Sequence, residues 1–218
     1  MKRKMEGTLV ISFSFLPVVL SLLFYSSLPE IIPTNWNIYG IADSFAPRSH
    51  IFLMAGGLTL LMLTLYFLMN FAAKHPVYQS FIKAFRTIQI SLFIFFQLLF
   101  GFMLYSTIHS SSFMANFFCV CFGSLMLVLG NYMPKIRHNY FVGVRTPWTL
   151  ASPECWYKTH RFSGGLWVLC GLALLLFSLL KNNNVTVFFL FFGTLIFLVV
   201  IPLVYSFIVY KKETASCL

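Results

Sequence analysis

Six long apolar runs, each of bilayer length, constrain this chain more than anything else in it. They fall at about Thr8–Ser27, Ile51–Asn70, Arg86–Thr107, Phe113–Met133, Phe162–Leu180 and Val185–Tyr210. As helices, runs of about 20 residues cross a hydrocarbon layer of roughly 30 Å. Only 9% of the 218 residues are charged and 27 are Phe, more apolar surface than a soluble domain of this size can hide. The predicted fold class is therefore all-α: an integral membrane bundle of six transmembrane helices forming a single domain over residues 1–218. The first run follows "MKRKMEG". It is too long for a signal-peptide core and no A-x-A-like cleavage site follows, so it reads as a retained helix.

Charge gives the orientation. The N-terminus, the connector Phe71–Phe85 with Arg86, the loop Pro134–Arg161 and the C-terminal tail hold 13 of the 15 Lys and Arg. The other connectors hold only Arg48 and Lys181. The positive-inside rule then puts both termini in the cytoplasm, in agreement with an even helix count. The net charge of +10 marks topology, and direct nucleic-acid binding is not expected.

Within the runs no charged side chain sits near a helix centre, which argues against a proton relay, a voltage sensor or an ion-driven pump. Few polar residues lie there, among them Gln89, Gln97, Asn116 and Asn131. For Gln97 and Asn116 the first expectation is a helix–helix hydrogen bond. Gly56-Gly57 and Gly164-Gly165 are expected to permit close helix approach, and Pro202 to kink the last helix. The five cysteines do not form a disulfide framework or a C-x-x-C pair and read as small apolar fillers.

Two connectors are long, and they lie on opposite sides of the membrane. The external one, "LPEIIPTNWNIYGIADSFAPRSH" (residues 28–50), joins the first two helices of an 8–70 unit. Pro29, Pro33, Pro47 and Gly40 exclude helix from most of it. Trp36, Tyr39 and Phe45 favour the headgroup zone. Glu30 and Asp43 are either an acid/base pair or carboxylates kept in a loop by their exclusion from lipid.

The second, residues 134–161 within a 113–210 unit, contains "NYMPKIRHNYFVGVRTPWTL". Gly143 permits a sharp bend, and Thr146 is pushed extended by Pro147. Tyr140, Phe141, Val142 and Trp148 are membrane-seeking and flank Arg145, whose planar fork suits phosphate or carboxylate. Arg145 can equally neutralise lipid headgroups, meet a partner or cap a helix end. Next, Ser152-Pro153-Glu154 is a helix start, with N-cap, first-turn proline and acid. Trp156 and His160 then lie one turn apart on one face, while Lys158 and Arg161 reach water or phosphate. His138, Cys155 and His160 match no standard zinc spacing, and no metal is expected.

The two loops also echo one another. "LPEIIPTNWNIYGI" and "MPKIRHNYFVGV" both run Pro, charge, Ile, then Asn, an aromatic and Gly, on opposite faces. An inverted repeat of three plus three helices produces this pattern, as in many transporters.

"LPEIIPTNW" with Gly40 and Asp43 resembles the external motif of a widespread bacterial membrane domain. Many members carry His where this chain has Asn35. "GNYMPKIRHNYFVGVRTPWTL", followed by Glu154, Trp156, His160 and Arg161, resembles the signature of the SdpI family of immunity proteins. The resemblance implies a multi-pass protein of the bacterial plasma membrane that protects its cell from a secreted membrane-active peptide toxin. In signalling members, the toxin-occupied protein also holds a cytoplasmic transcriptional repressor at the membrane. The residues it points to are Asn139, Gly143, Arg145, Thr146, Pro147, Trp148, Trp156, His160 and Arg161 inside, for a ligand or partner. Outside they are Pro29, Glu30, Pro33, Asn35, Trp36, Gly40 and Asp43. Membrane lipids are further partners; no cofactor is expected.

Three functions stay open on the residues: protection by binding, a small lipid or peptide transporter or flippase, and a membrane enzyme. The enzyme is the weakest, because no nucleophile–base arrangement and no metal motif is present.

Overall fold

A computed structural model describes residues 2–37, 39, 41–109, 114–180 and 184–216. Gly40, Phe113, Lys181 and Cys217 lie outside them. Six segments long and apolar enough to span a membrane run Gly7–Ser27, His50–Ala72, Ile82–His109, Asn116–Lys135, Pro153–Ser178 and Val185–Ala215. Each lies close to one of the six apolar runs. The fold is a helical membrane bundle.

The first span is not one continuous helix. It divides into α1 (Lys2–Ser14) and α2 (Leu16–Phe24), followed by a short 3-10 turn. Pro17 is the cause: without an N–H it cannot bond the carbonyl of Phe13. That carbonyl instead accepts a 2.7 Å hydrogen bond from Gln97 Nε2 on α5 (Ile82–His109). A neighbouring helix thus satisfies the group freed by the proline, as burial in lipid demands. Gln97 makes the expected helix–helix bond; Asn116 Oδ1, by contrast, is buried without a partner.

The long connector after α2 is non-helical, as its prolines require, but it is not irregular. It forms an antiparallel hairpin of β1 (Ile31–Trp36) and β2 (Ala42–Pro47), with register shifts between Pro33 and Trp36. Proline excludes helix here but is tolerated in short edge strands and bulges. Asn37 holds the turn, its Oδ1 accepting from the N–H groups of Tyr39 at 2.9 Å and Ile41 at 3.1 Å. Ile32 and Leu28 plug the hairpin into the bundle, against Ile51, Ala55, Phe100 and Leu104. Arg48 stacks over Tyr25, 4.9 Å from its ring centroid.

From α3 (His50–Ala72) the chain passes through the short helix α4 (Pro76–Gln79) into α5. After α6 (Met114–Tyr132) come the second long loop, α7 (Pro147–Ala151), α8 (Pro153–Ser178) and α9 (Asn184–Ser216). The most extensive helix contact joins α6 and α8, and glycine makes it close. Gly130 faces the Gly164 carbonyl and Gly123 faces the Gly171 carbonyl; added Cβ atoms would meet these oxygens at 2.7 and 2.9 Å. Both pairs are spaced seven residues apart, two helical turns, so they lie on one face of each antiparallel helix. Gly56, Gly57 and Gly165, expected at close approaches, have nothing within 4 Å of a built Cβ. They point away from neighbours, so of the two glycine pairs only Gly164 is used. Cys119, Cys121 and Cys155 are buried free thiols, and Cys170 is a partly buried one.

Candidate binding site

The hairpin and the second long loop lie at opposite ends of the bundle, because an even number of spans does not separate them. Each end offers a different kind of site.

At the hairpin end, Trp36 is half-buried over a cavity of about 300 Å³. Met54 of α3, Phe100 and Met103 of α5 and Phe117 of α6 are among the other lining residues. Phe102 and Phe117 stack at 3.9 Å between centroids, forming part of the wall. A mostly apolar cavity lined by aromatic rings and flexible thioethers accommodates varied hydrophobic shapes. The other external candidates do not share it. Pro29, Glu30, Asn35 and Asp43 are exposed and Pro33 is half-buried in β1. Glu30 contributes its backbone carbonyl, which accepts from Arg48 N–H at 2.8 Å.

At the opposite end, the loop after α6 folds onto itself and turns its polar groups inward. Asn139 is 3% exposed. Its Oδ1 accepts from Phe141 and Val142 N–H, both at 2.8 Å, and its Nδ2 donates to the carbonyls of Arg137 and Val142 at 2.7 and 3.0 Å. One carboxamide uses all its main valences to hold the turn. Gly143 follows at φ +124°. Val144 N–H then donates to His160 Nε2 at 3.1 Å, while His160 Nδ1 lies 2.9 Å from the Trp156 carbonyl. The first contact requires a lone pair on Nε2, so Nδ1 carries the proton and donates. Trp156 stacks on His160 at 4.0 Å, and its Nε1 donates to the Ile136 carbonyl at 2.9 Å.

Thr146 caps α7 in a reciprocal box with Thr149, each backbone N–H donating to the other's hydroxyl. Pro147 fills the first turn. The Thr146 hydroxyl also lies 3.1 Å from Ser206 Oγ on α9, and Ser206 Oγ lies 2.7 Å from the Leu203 carbonyl. Trp148 packs against Phe207 at 5.1 Å. Ser152 caps α8 as the sequence predicts, accepting from Cys155 N–H, and donates to Glu213 at 2.7 Å. Lys158 pairs with Glu154 at 2.6 Å and approaches Glu213 at 3.7 Å.

Arg145 stands apart from this packing. It is exposed, with Nη1 donating to the Tyr140 carbonyl at 2.8 Å, and Tyr140 itself is 72% exposed. Arg161 is also exposed. Below them Phe141 meets Tyr78 and Phe85, each at 6.4 Å, which ties the loop to the α4–α5 region. Burial pushes the Tyr78 hydroxyl above its ordinary pKa, with the nearby Arg145 charge acting against it. Among the described residues no cluster of three His, Cys, Asp or Glu could hold a metal ion. Sequence reasoning missed Asn37, Thr149, Ser206 and the cavity's Met and Phe residues. The Thr-Pro-x-Thr spacing was the one local signal that could have revealed Thr149.

The positive φ at Gly143 yields a direct expectation. A Cβ there would collide with His160 Nε2 and the backbone would be strained. Gly143→Ala should lower stability by about 1–3 kcal/mol, read as a reduced Tm in detergent. An unchanged Tm would show that the loop relaxes freely around His160.

Comparison with known proteins places both regions. The model of the SdpI/YfhL protein family matches residues 135–206, covering the second loop, α7, α8 and most of α9. A domain of unknown function (DUF1648) matches residues 13–59, including the hairpin. The immunity protein SdpI of Bacillus subtilis (strain 168) is 25% identical over 219 residues, covering 99% of this chain and 100% of that protein. No solved structure matches.

Proposed function

We propose that this multi-pass membrane protein, similar over its full length to SdpI and matching the SdpI/YfhL family model, is an SdpI-type immunity protein. It protects its cell from a secreted, membrane-active peptide by capturing an apolar part of that peptide at the hairpin end. The observation that carries this reading is the cavity beneath Trp36. It combines an aromatic roof from the hairpin with Met54 and Met103 from two helices, the adaptable lining that an apolar peptide side chain fits. The full-length likeness to a protein named for immunity supports the same reading.

Signalling is part of the proposal. Helix α5 carries Phe100 and Met103 at the cavity and Phe85 at the aromatic cluster under the second loop. The fifteen residues from Phe85 to Phe100 correspond to roughly 20 Å of helix. A peptide that tilts α5 would bias the packing of Phe141 and so alter the exposed Tyr140–Arg145 surface. With the basic end in the cytoplasm, that surface is where a transcriptional repressor would be held. Such coupling requires that the peptide bind one helix packing better than the other.

The test is survival of a toxin-sensitive bacterium expressing the chain, challenged with secreted membrane-active peptides at matched membrane levels. Trp36→Ala should lower the tolerated peptide concentration by about tenfold or more, the usual scale for losing a buried aromatic anchor. Arg145→Ala should leave protection intact. Full protection by Trp36→Ala would remove the cavity from the mechanism.

A further inference from the structure

A second cavity, of about 250 Å³, opens between α1, α3 and α5 at the end of the bundle opposite the hairpin. Its polar lining comes from Tyr66 and Asn70 on α3 and Arg86 and Gln89 on α5; Leu9 and Ile90 contribute apolar walls. Asn70 lies two residues from the end of α3 and Arg86 four residues into α5, about 6 Å or less along each helix and at headgroup depth, while Gln89 lies about one turn deeper, roughly 10 Å into α5. Leu9 and Ile90 are exposed on the outer surface of the bundle. The cleft therefore meets lipid sideways, with apolar residues at its mouth.

Gln89 supplies the independent signal of a ligand. It is only 9% exposed, and its Nε2 is buried with no hydrogen-bond partner. A buried amide donor without an acceptor is costly and marks a place where an acceptor belongs. Beside it lies the Arg86 guanidinium, a planar fork of N–H donors whose geometry suits phosphate oxygens. Asn70 Nδ2 is already turned onto the Tyr66 carbonyl at 2.8 Å, so the wall around this donor pair is fixed.

We propose that this cleft binds the phosphate of an acidic phospholipid, with the phosphate oxygens accepting from Gln89 and Arg86 and the acyl chains running along Leu9 and Ile90. The apolar mouth selects a lipid over a soluble phosphate, because a free anion would have to cross that surface. Basic pockets between transmembrane helices at the membrane boundary take such headgroups. The bound lipid would sit on α3 and α5, the two helices that also wall the cavity under Trp36. The lipid site does not depend on the immunity reading.

Native mass spectrometry of the full chain, loaded separately with phosphatidylglycerol and with phosphatidylcholine of the same acyl chains, tests this. Wild type should retain phosphatidylglycerol through detergent exchange and lose phosphatidylcholine. Gln89→Leu and Arg86→Ala should each cut retention by about tenfold, as expected for losing a hydrogen bond to a charged group. Gln89→Leu also removes an unpaired buried donor, so its Tm should equal or exceed that of wild type; loss of lipid with Tm maintained separates binding from misfolding. If Arg86→Ala fails to fold, Gln89→Leu decides alone. Equal retention of the two lipids, or unchanged retention in Gln89→Leu, overturns the site. Displacement of the lipid by excess inorganic phosphate would overturn the lipid assignment in favour of a soluble anion.

Discussion

Gly130→Val should force α6 away from α8 and cost about 3 kcal/mol or more, the upper range for overpacking against an immobile neighbour. A Cβ at Gly130 would lie 2.7 Å from the Gly164 carbonyl oxygen and 2.9 Å from the Val168 backbone nitrogen. Backbone atoms cannot rotate aside as a side-chain terminus can. In lipid, where the hydrophobic effect does not drive helices together, close packing of this kind is a main source of association. Separating the crossing therefore removes attraction as well as adding strain. The matched control is Gly165→Val, one residue from Gly164, where a built Cβ meets nothing within 4 Å; it should change stability by about 0.5 kcal/mol or less. Equilibrium unfolding in mixed micelles would compare the two. Similar values for both would mean that the crossing is not held by the glycine contacts.

Asn139→Leu should be comparably severe, at about 3–5 kcal/mol, because each buried backbone group left unpaired costs on the order of 1–3 kcal/mol. Leucine has similar size but returns none of the four hydrogen bonds to Arg137, Phe141 and Val142. The turn would open and take Gly143 from beneath His160, releasing Val144 N–H as well. Asn139→Asp, which keeps the acceptor for Phe141 and Val142 but loses the donors, should fall between wild type and leucine. Limited proteolysis within residues 137–146 would report the opening. A loop that stays resistant in Asn139→Leu would show that Trp156 and Thr146 hold it unaided.

How much of this was legible depended on distance along the chain. The six spans follow from hydropathy, a property of contiguous residues. Ser152-Pro153-Glu154 gave a helix start because capping is decided within three or four residues, whereas Thr146-Pro147, where α7 starts, reads in the sequence only as an extended residue before a proline. The hairpin was hidden, since Pro33, Asn35 and Trp36 do not alternate apolar and polar, and two register shifts break the period. The cavity under Trp36 could not be read because its walls come from the hairpin, α3, α5 and α6. Glycine was readable only in part: adjacent pairs at 56–57 and 164–165 drew notice, while contact used the seven-residue spacing of Gly123 with Gly130 and Gly164 with Gly171. In the second loop the structure gathers several of the expected residues into one folded unit. Asn139, Thr146, Trp156 and His160 spend their hydrogen bonds holding the loop, which leaves Arg145 and Tyr140 outward.

The hairpin has a further consequence. A sheet of two strands has two open edges, each able to recruit a third strand from another chain. Here β1 carries Pro33 and β2 ends in Pro47, and neither offers an N–H to an incoming backbone. The register shifts around Asn35 bend the ladder further. An extended peptide arriving in the same membrane meets a poor template for strand addition. The protein can thus expose a two-stranded sheet while denying a third strand a ready edge.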